Sequence, residues 1–239
     1  MTYENIVEGR FLSRPNRFNA HVELNGEQVV CHVKNTGRCR ELLIPGARVL
    51  LQQAANPARK TAYDLISVWK GERLINMDAA APNTVFDQWL REGGLGFVPT
   101  LVRPECTHGD SRFDFYFEKE GKGCFAEVKG VTLEEDGLVR FPDAPTERGV
   151  KHLRGLMRCV AEGYEAYAVF VIQMRHVRCF APAWDKHPAF GLALREAAEA
   201  GVHILALDCD VTEHSLTIAD AVPIDLTAPA LDTPLHASL

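Results

Sequence analysis

The sequence predicts an α/β protein in two parts: a small OB-like β-barrel followed by an α/β domain. Three observations predict it. Residues 1–80 break into short β-prone runs separated by turn signals at Asn25-Gly26, Pro45-Gly46 and Gly71-Glu72. Two almost wholly apolar runs, Ala166–Met174 and Val202–Leu207, read as strands covered on both faces. Helical patterns precede each of these runs, and strand–helix–strand with apolar strands implies a parallel crossover.

In chain order, the first part holds five candidate strands: Arg17–Leu24, Glu27–Val33, Ala47–Leu51, Tyr63–Trp69 and Arg73–Asn76. Five short strands in so few residues suggest a Greek-key barrel, with a helical turn at Cys39–Leu43. Basic residues cluster at Arg10, Arg14 and Arg17 and again at Lys34, Arg38 and Arg40. With Phe11 and Phe18 among them they would suit a groove that tracks a nucleic-acid strand. The alternative is a solvated barrel surface with both aromatics in the core. Small residues and Pro82 mark a boundary, so residues 1–82 and 83–226 are expected as the two domains, with 227–239 a disordered tail.

The second part opens with a short helix, Thr84–Glu92, capped by Asn83 or Thr84 and ended by Gly93-Gly94. A strand at Pro99–Cys106 follows. Residues 133–149 are charged and turn-prone and read as a surface loop. Thr146 then caps a helix over Glu147–Glu162, its buried stripe being Val150, Leu153, Met157 and Val160. Lys151, Arg154 and Arg158 share one face of it, either to grip phosphates or simply to be solvated.

The chemistry is concentrated between these elements, in Asp110–Thr132. Phe113–Phe117 and Cys124–Val131 flank EKEGKG and read as a β-hairpin. If Glu118 pairs with Gly123, Tyr116 lies opposite Phe125 and Asp114 opposite Glu127. Side chains alternate along a strand, so Glu127 and Lys129 share a face. Opposed residues place their Cβ atoms roughly 4.5–5.5 Å apart. Two carboxylates that close repel unless a positive group lies between them, and a hard divalent ion, Mg²⁺ or Mn²⁺, accepts carboxylate oxygens. Lys129 would then stabilise a developing anion or orient water. Glu105 is either a third carboxylate or a surface residue.

Composition sets bounds. A chain of 239 residues, 46% hydrophobic and 24% charged, can bury a core without staples. No apolar run approaches the ~20 residues of a membrane span, and the first residues carry no signal-peptide core, so a cytoplasmic protein without membrane contact is expected. Seven scattered cysteines without a C-x-x-C read as reduced thiols. The net charge is −6, but residues 1–82 hold 11 Lys/Arg against 8 Asp/Glu. A mildly basic half joined to an acidic one is compatible with nucleic-acid work.

The spacing of Asp114, Glu127 and Lys129, D-(x)12-E-V-K, resembles the PD-(D/E)XK nuclease signature, with Phe113 in place of the proline. The strings NTGRCRELLIPG, SRFDF, EVKGVTL and FPDAPTERGVKHLRGLM, in that order, resemble the sugar fermentation stimulation protein family from near Arg10 to near Leu226. That resemblance implies an OB-like domain and a restriction-endonuclease-like (PD-(D/E)XK) domain. It also implies DNA binding of little sequence preference and a DNA or RNA nuclease activity. By position, Asp114, Glu127 and the Val128 carbonyl would hold Mg²⁺ or Mn²⁺, and Lys129 would be the catalytic lysine. Arg112, Thr132, Thr146, Arg148 and His152 would line or support the site. Arg10, Arg17, Lys34, Arg38, Arg112, Arg148, Lys151 and His152 are expected to contact nucleic acid. The alternative function is a catalytically silent DNA-binding regulator that stimulates maltose-type sugar metabolism genes. A protein–protein adaptor has no positive feature in the sequence.

Overall fold

The computed structural model describes residues 1–35, 37–56 and 58–229. The barrel is built from β1 (Ile6–Ser13), β2 (Asn19–Leu24), β3 (Glu27–Val33), β4 (Arg48–Gln53), β5 (Tyr63–Lys70) and β6 (Arg73–Asn76). Its strand order is β3-β2-β1-β4-β5-β6, and a parallel pairing of β3 with β5 closes it. This is an OB-like barrel, as expected. β1 is an addition to the expected five strands: Gly9 and the outward Glu8 and Arg10 interrupt the apolar pattern that marks the others. A single turn at Cys39–Leu43 forms as read, with the Leu43 N–H donating to the Cys39 carbonyl (2.9 Å).

The α/β domain continues with α1 (Ala81–Arg91), β7 (Leu101–His108), β8 (Ser111–Lys119), β9 (Lys122–Val131), β10 (Leu133–Glu135), β11 (Leu138–Phe141), α2 (Glu147–Ala161), β12 (Glu165–Ile172), β13 (Cys179–Pro182), α3 (Pro188–Glu199), β14 (His203–Val211) and β15 (Leu216–Ala221). Its main sheet has the order β15-β14-β12-β9-β8-β7, with β9, β12 and β14 parallel. Alternation along β12 shows why its run is apolar throughout. Ala166, Ala168, Phe170 and Ile172 join the core under α2 and α3, while Tyr167, Val169 and Val171 join the core under α1.

Three expectations are corrected. Helix α1 starts three residues before the expected Thr84, with Pro82 in its first turn, and neither Asn83 nor Thr84 caps it. The Asp78 carboxylate instead accepts from the Ala80 N–H (3.0 Å), which frees the Asn83 amide. Residues 133–149 are not simply a loop. An Asp136-Gly137 turn with positive φ at both residues joins β10 to β11, and β13 pairs with β11 to complete a three-stranded sheet. The buried face of α2 is Val150, His152, Leu153, Leu156 and Cys159, so Met157 and Val160 are only half-buried and His152 turns inward. At the C-terminus, the Thr227 N–H donates to Asp225, itself bonded to the Phe180 carbonyl; residues 230–239 of the expected tail lie outside the described residues.

Among the described residues several polar contacts join the domains, and two of them centre on buried carboxylates. One is a buried network. Lys34 pairs with the fully buried Asp78, Asn76 donates to the Tyr3 hydroxyl (2.9 Å), and Gln173 donates to the Asn76 side chain (2.8 Å) and the Asp78 carbonyl (3.0 Å). Lys34 is therefore a structural cation, not an open phosphate contact. The other contact centres on Glu134 of β10, which binds Lys70 (2.7 Å) and Arg73 (2.5 Å) of the barrel and the Gly137 N–H (2.5 Å).

Burial alone would raise the Glu134 pKa, but the Lys70, Gly137 and Arg73 bonds outweigh it and bring it from 4.5 to about 2. A folded-state pKa below the unfolded one gives stability that is present above pH ~4.5 and lost as pH falls towards 2. Glu134→Gln should cost about 2 kcal/mol at pH 7. It should also flatten the decline of the melting temperature between pH 5 and 2, as thermal unfolding across that range will show.

Candidate active site

The hairpin forms with the expected register: Tyr116 faces Phe125 and Glu118 faces Gly123. The connection is tighter than the four residues read from the sequence, because Lys119 pairs with Lys122 and only Glu120-Gly121, both at positive φ, make the turn. At the other end the ladder stops at Phe115 and Ala126. The next backbone donor of β9 that faces β8, the Val128 N–H, goes to the Asp114 carboxylate (Oδ2, 2.8 Å). A carboxylate thus replaces a ladder carbonyl, and the two strands part. Regular alternation in β8 also breaks here. Phe113 packs into the core under α2, and Phe115 into the core under α1. The N–H and C=O of one strand residue point the same way, so the Val128 carbonyl faces the same gap.

Asp114 is held from a second direction by Asn83 of α1, whose amide donates to Oδ1 (3.2 Å). Glu127, nearly buried on the α2 side of the sheet, is held through Oε1. That oxygen accepts from Lys129 Nζ and from the His152 ring Nδ1. Arg148 Nε donates to the other ring nitrogen of His152 (3.4 Å), which assigns the proton to Nδ1 and makes the ring a donor to Glu127. Thr146 starts the helix that carries both residues; its hydroxyl accepts from the Gly149 N–H (3.1 Å).

Two opposite pKa shifts follow. Burial pushes Asp114 up, the negative Glu127 adds to this, and Lys129, the Val128 N–H and Asn83 offset only part. Burial also pushes at Glu127, but the His152 bond and Lys129 outweigh it and hold its carboxyl below the ordinary value. Glu127 is the ionised anchor, and Asp114 is the carboxylate that lacks a sufficient counter-charge. The second oxygen of Glu127, Oε2, is buried and has no hydrogen-bond partner among the described residues. A buried carboxylate oxygen without a donor costs free energy unless a cation meets it. Asp114, Glu127 Oε2 and the Val128 carbonyl are hard oxygen donors of the kind that hold a divalent ion. Among the described residues, no group of three His, Cys, Asp or Glu side chains forms a metal cage, so any ion here would draw on backbone and water as well.

The remaining expected residues are distributed as follows. Glu105 is exposed and pairs with Arg112 (2.5 Å), so it does not join the carboxylates, and Arg112 is partly neutralised. Lys151 and Arg158 on the outer face of α2 both hold Asp110. His152 is buried against Glu127 and is not an open contact for a strand. Arg10, Arg17, Arg38 and Arg148 are exposed, and Thr132 lines a cleft just beyond the site. Phe11 is in the barrel core while Phe18 is 57% exposed, which divides the two aromatics between the alternatives. In the sequence Asn83 reads only as a helix cap. Its position next to a first-turn proline was the available signal that its side chain is free for another task.

A barrel of OB topology joined to a mixed α/β sheet with a carboxylate pair and a lysine at a strand split defines the class: a two-domain OB and α/β protein. The family models place it further. Residues 12–77 match the SfsA N-terminal OB domain and residues 80–215 the sugar fermentation stimulation protein RE domain. The chain belongs to the sugar fermentation stimulation protein family. It is 58% identical to the sugar fermentation stimulation protein homolog of Desulfitobacterium hafniense, over 95% of this chain and 99% of the relative. It is 55% identical to that of Clostridium beijerinckii, over 95% and 100%. Among solved structures it is similar to Pyrococcus furiosus SfsA in complex with Ca²⁺, at a TM-score of 0.84 and 26% identity, covering 94% of this chain and 98% of the other.

The raised pKa of Asp114 has a consequence for stability. Its folded-state value lies above the unfolded one, so its favourable contribution exists at low pH and is lost as pH rises through the folded value. In chelator at pH 7, Asp114→Asn should melt a few degrees above the unsubstituted protein, and the gap should close below pH 4. Paired calorimetric scans at pH 7 and pH 3.5 check this; a lower melting temperature for the variant at pH 7 would contradict the assignment of Asp114 as the under-compensated carboxylate.

Proposed function

We propose that the protein is a divalent-metal-dependent nuclease that hydrolyses phosphodiester bonds in DNA or RNA with little sequence preference. The observation that carries this is the unpartnered, buried Oε2 of Glu127 beside an Asp114 whose charge is only partly offset. The Ca²⁺ complex of the Pyrococcus furiosus relative supports a divalent cation, and Mg²⁺ or Mn²⁺ is the ion proposed for turnover. Such a cation, when bound, supplies a Lewis acid for the phosphate and lowers the pKa of water.

The chain's own groups would do the rest. Asp114, Glu127 and the Val128 carbonyl bind the ion. Lys129 Nζ is tethered to Glu127 Oε1 and is 26% exposed, so it can turn its charge to the phosphate as negative charge builds there. His152, backed by Arg148, keeps Glu127 ionised and fixed in orientation, and Asn83 does the corresponding work for Asp114. The exposed Arg17, Arg38 and Arg148 supply phosphate contacts that carry no base information, which is the basis of weak sequence preference.

The test is cleavage of labelled single- and double-stranded DNA and RNA with Mg²⁺ and with Mn²⁺. Lys129→Ala should lower kcat by at least about 100-fold, while binding measured in chelator stays within about twofold. Asp114→Asn should remove both cleavage and the rise in melting temperature that divalent ions give the unsubstituted protein. Equal turnover by Lys129→Ala and the unsubstituted protein would refute the role of the lysine. Salt-sensitive binding with no cleavage under any metal would select the other reading, a DNA-binding regulator of sugar metabolism genes.

A further inference from the structure

A cavity of ≈ 290 Å³ lies between the barrel and the α/β domain, lined by Asn35 and Gly37 on one side and by Thr132, Arg140, Asp143 and Gln173 on the other. Thr132 is three residues past Lys129, about 10 Å along an extended chain. We propose that this cavity takes the base of one unpaired nucleotide, so that the strand presented to the carboxylate site is single-stranded. The role in cleavage rests on the nuclease reading above; the binding itself does not.

Size is the first argument. The volume lies at the small end of ligand sites, fit for a group as large as one nucleoside. A base inside a duplex exposes only its groove edges, so a whole base can enter a cleft of this size only after leaving the stack. Hydrogen-bonding capacity is the second. The Gln173 side chain is buried and its Nε2 is committed to Asn76 and Asp78, which leaves Oε1 as an acceptor. The Asn35 Oδ1 is taken by the Gly37 N–H (2.7 Å), which leaves its amide nitrogen as a donor. Arg140 also lines the space, with its guanidinium paired to the Glu135 carboxylate (2.5 Å). Donors and acceptors facing one small space suit the polar edge of a base.

Charge supplies a route. A second cavity, of ≈ 510 Å³ on the barrel, is also lined by Gly37, so the two spaces adjoin there. Its walls include Arg14, Arg17, Arg38 and Arg40. Arg14 is not available to a ligand, because its guanidinium donates to the carbonyls of Gly37, Arg38, Arg17 and Asn35 and thereby shapes the loop. Arg17, Arg38 and Arg40 remain exposed for phosphates. The walls approach closely at the junction. A Cβ on Gly37 would come within 2.9 Å of the Asp143 carboxylate, and one on Gly130 within 2.6 Å of Gln173 Oε1.

The experiment is fluorescence anisotropy in chelator, where no cleavage occurs. The probes are a labelled 12-nucleotide single strand, its blunt duplex, and a set of single strands each lacking one base. The single strand should bind about tenfold tighter than the duplex, and one abasic position should weaken binding by about tenfold. Thr132→Phe, or Asp143→Trp if the first variant does not fold, should fill the cavity and erase that positional effect. Equal binding of duplex and single strand, or no positional effect in the unsubstituted protein, would overturn the proposal. A protein that shows the positional effect but cleaves nothing would uphold the cavity and refute the nuclease. A protein that cleaves duplex and single strand alike without the effect would do the reverse.

Discussion

The structure turns on one hydrogen bond, from the Val128 N–H to the Asp114 carboxylate. Every earlier residue pair of the hairpin is an ordinary ladder pair. At this one a side chain takes the place of a backbone acceptor, and the pairing of β8 with β9 ends there. The Val128 backbone, Asp114 and Glu127 lie where that ladder ends. Buried polar groups must be partnered, and here the partners are unusually specific: Asn83 from α1, and His152 and Arg148 from α2. Both helices therefore meet the site from opposite faces of the same sheet, and the elements that make the core also set the geometry.

The barrel enters this arrangement through the network around Asp78. That carboxylate holds Lys34 of the barrel loop and the start of α1, and Gln173 ties the same network to the end of β12 beside β9. A displacement of the barrel would be felt at Asn83 and at the strand that carries Glu127 and Lys129. The two domains are better described as two walls of one cleft than as a binding module attached to a separate enzyme.

Much of this was legible in the sequence, and the failures have physical causes. The hairpin register could be read because alternation and a Gly turn leave few options, and the central strands because a run covered on both faces is apolar throughout. The Asp114–Glu127 proximity follows from that register. What could not be read was the bond that ends the ladder, since local periodicity carries no information about which acceptor an amide chooses. His152 is pointed to by the family resemblance alone; its inward turn depends on how α2 sits on the sheet, and the apolar stripe that the sequence pattern suggests is rotated towards Met157 and Val160. Lys34 looked like its exposed neighbour Arg38 because its partner, Asp78, lies 44 residues away. The β10–β11 hairpin reads as a loop in the sequence, although Asp136-Gly137 is a strong turn signal, because its strands are only three and four residues long.

The central claim is that Asp114 and Glu127 together hold a divalent cation. A crystal structure grown with Mn²⁺, with its anomalous scattering used to locate the ion, tests this most directly. The account predicts a peak in the gap between β8 and β9, within about 2.0–2.4 Å of an Asp114 oxygen and of Glu127 Oε2. A structure in which Mn²⁺ is absent from that gap, with Glu127 Oε2 taken instead by a protein donor, would contradict it.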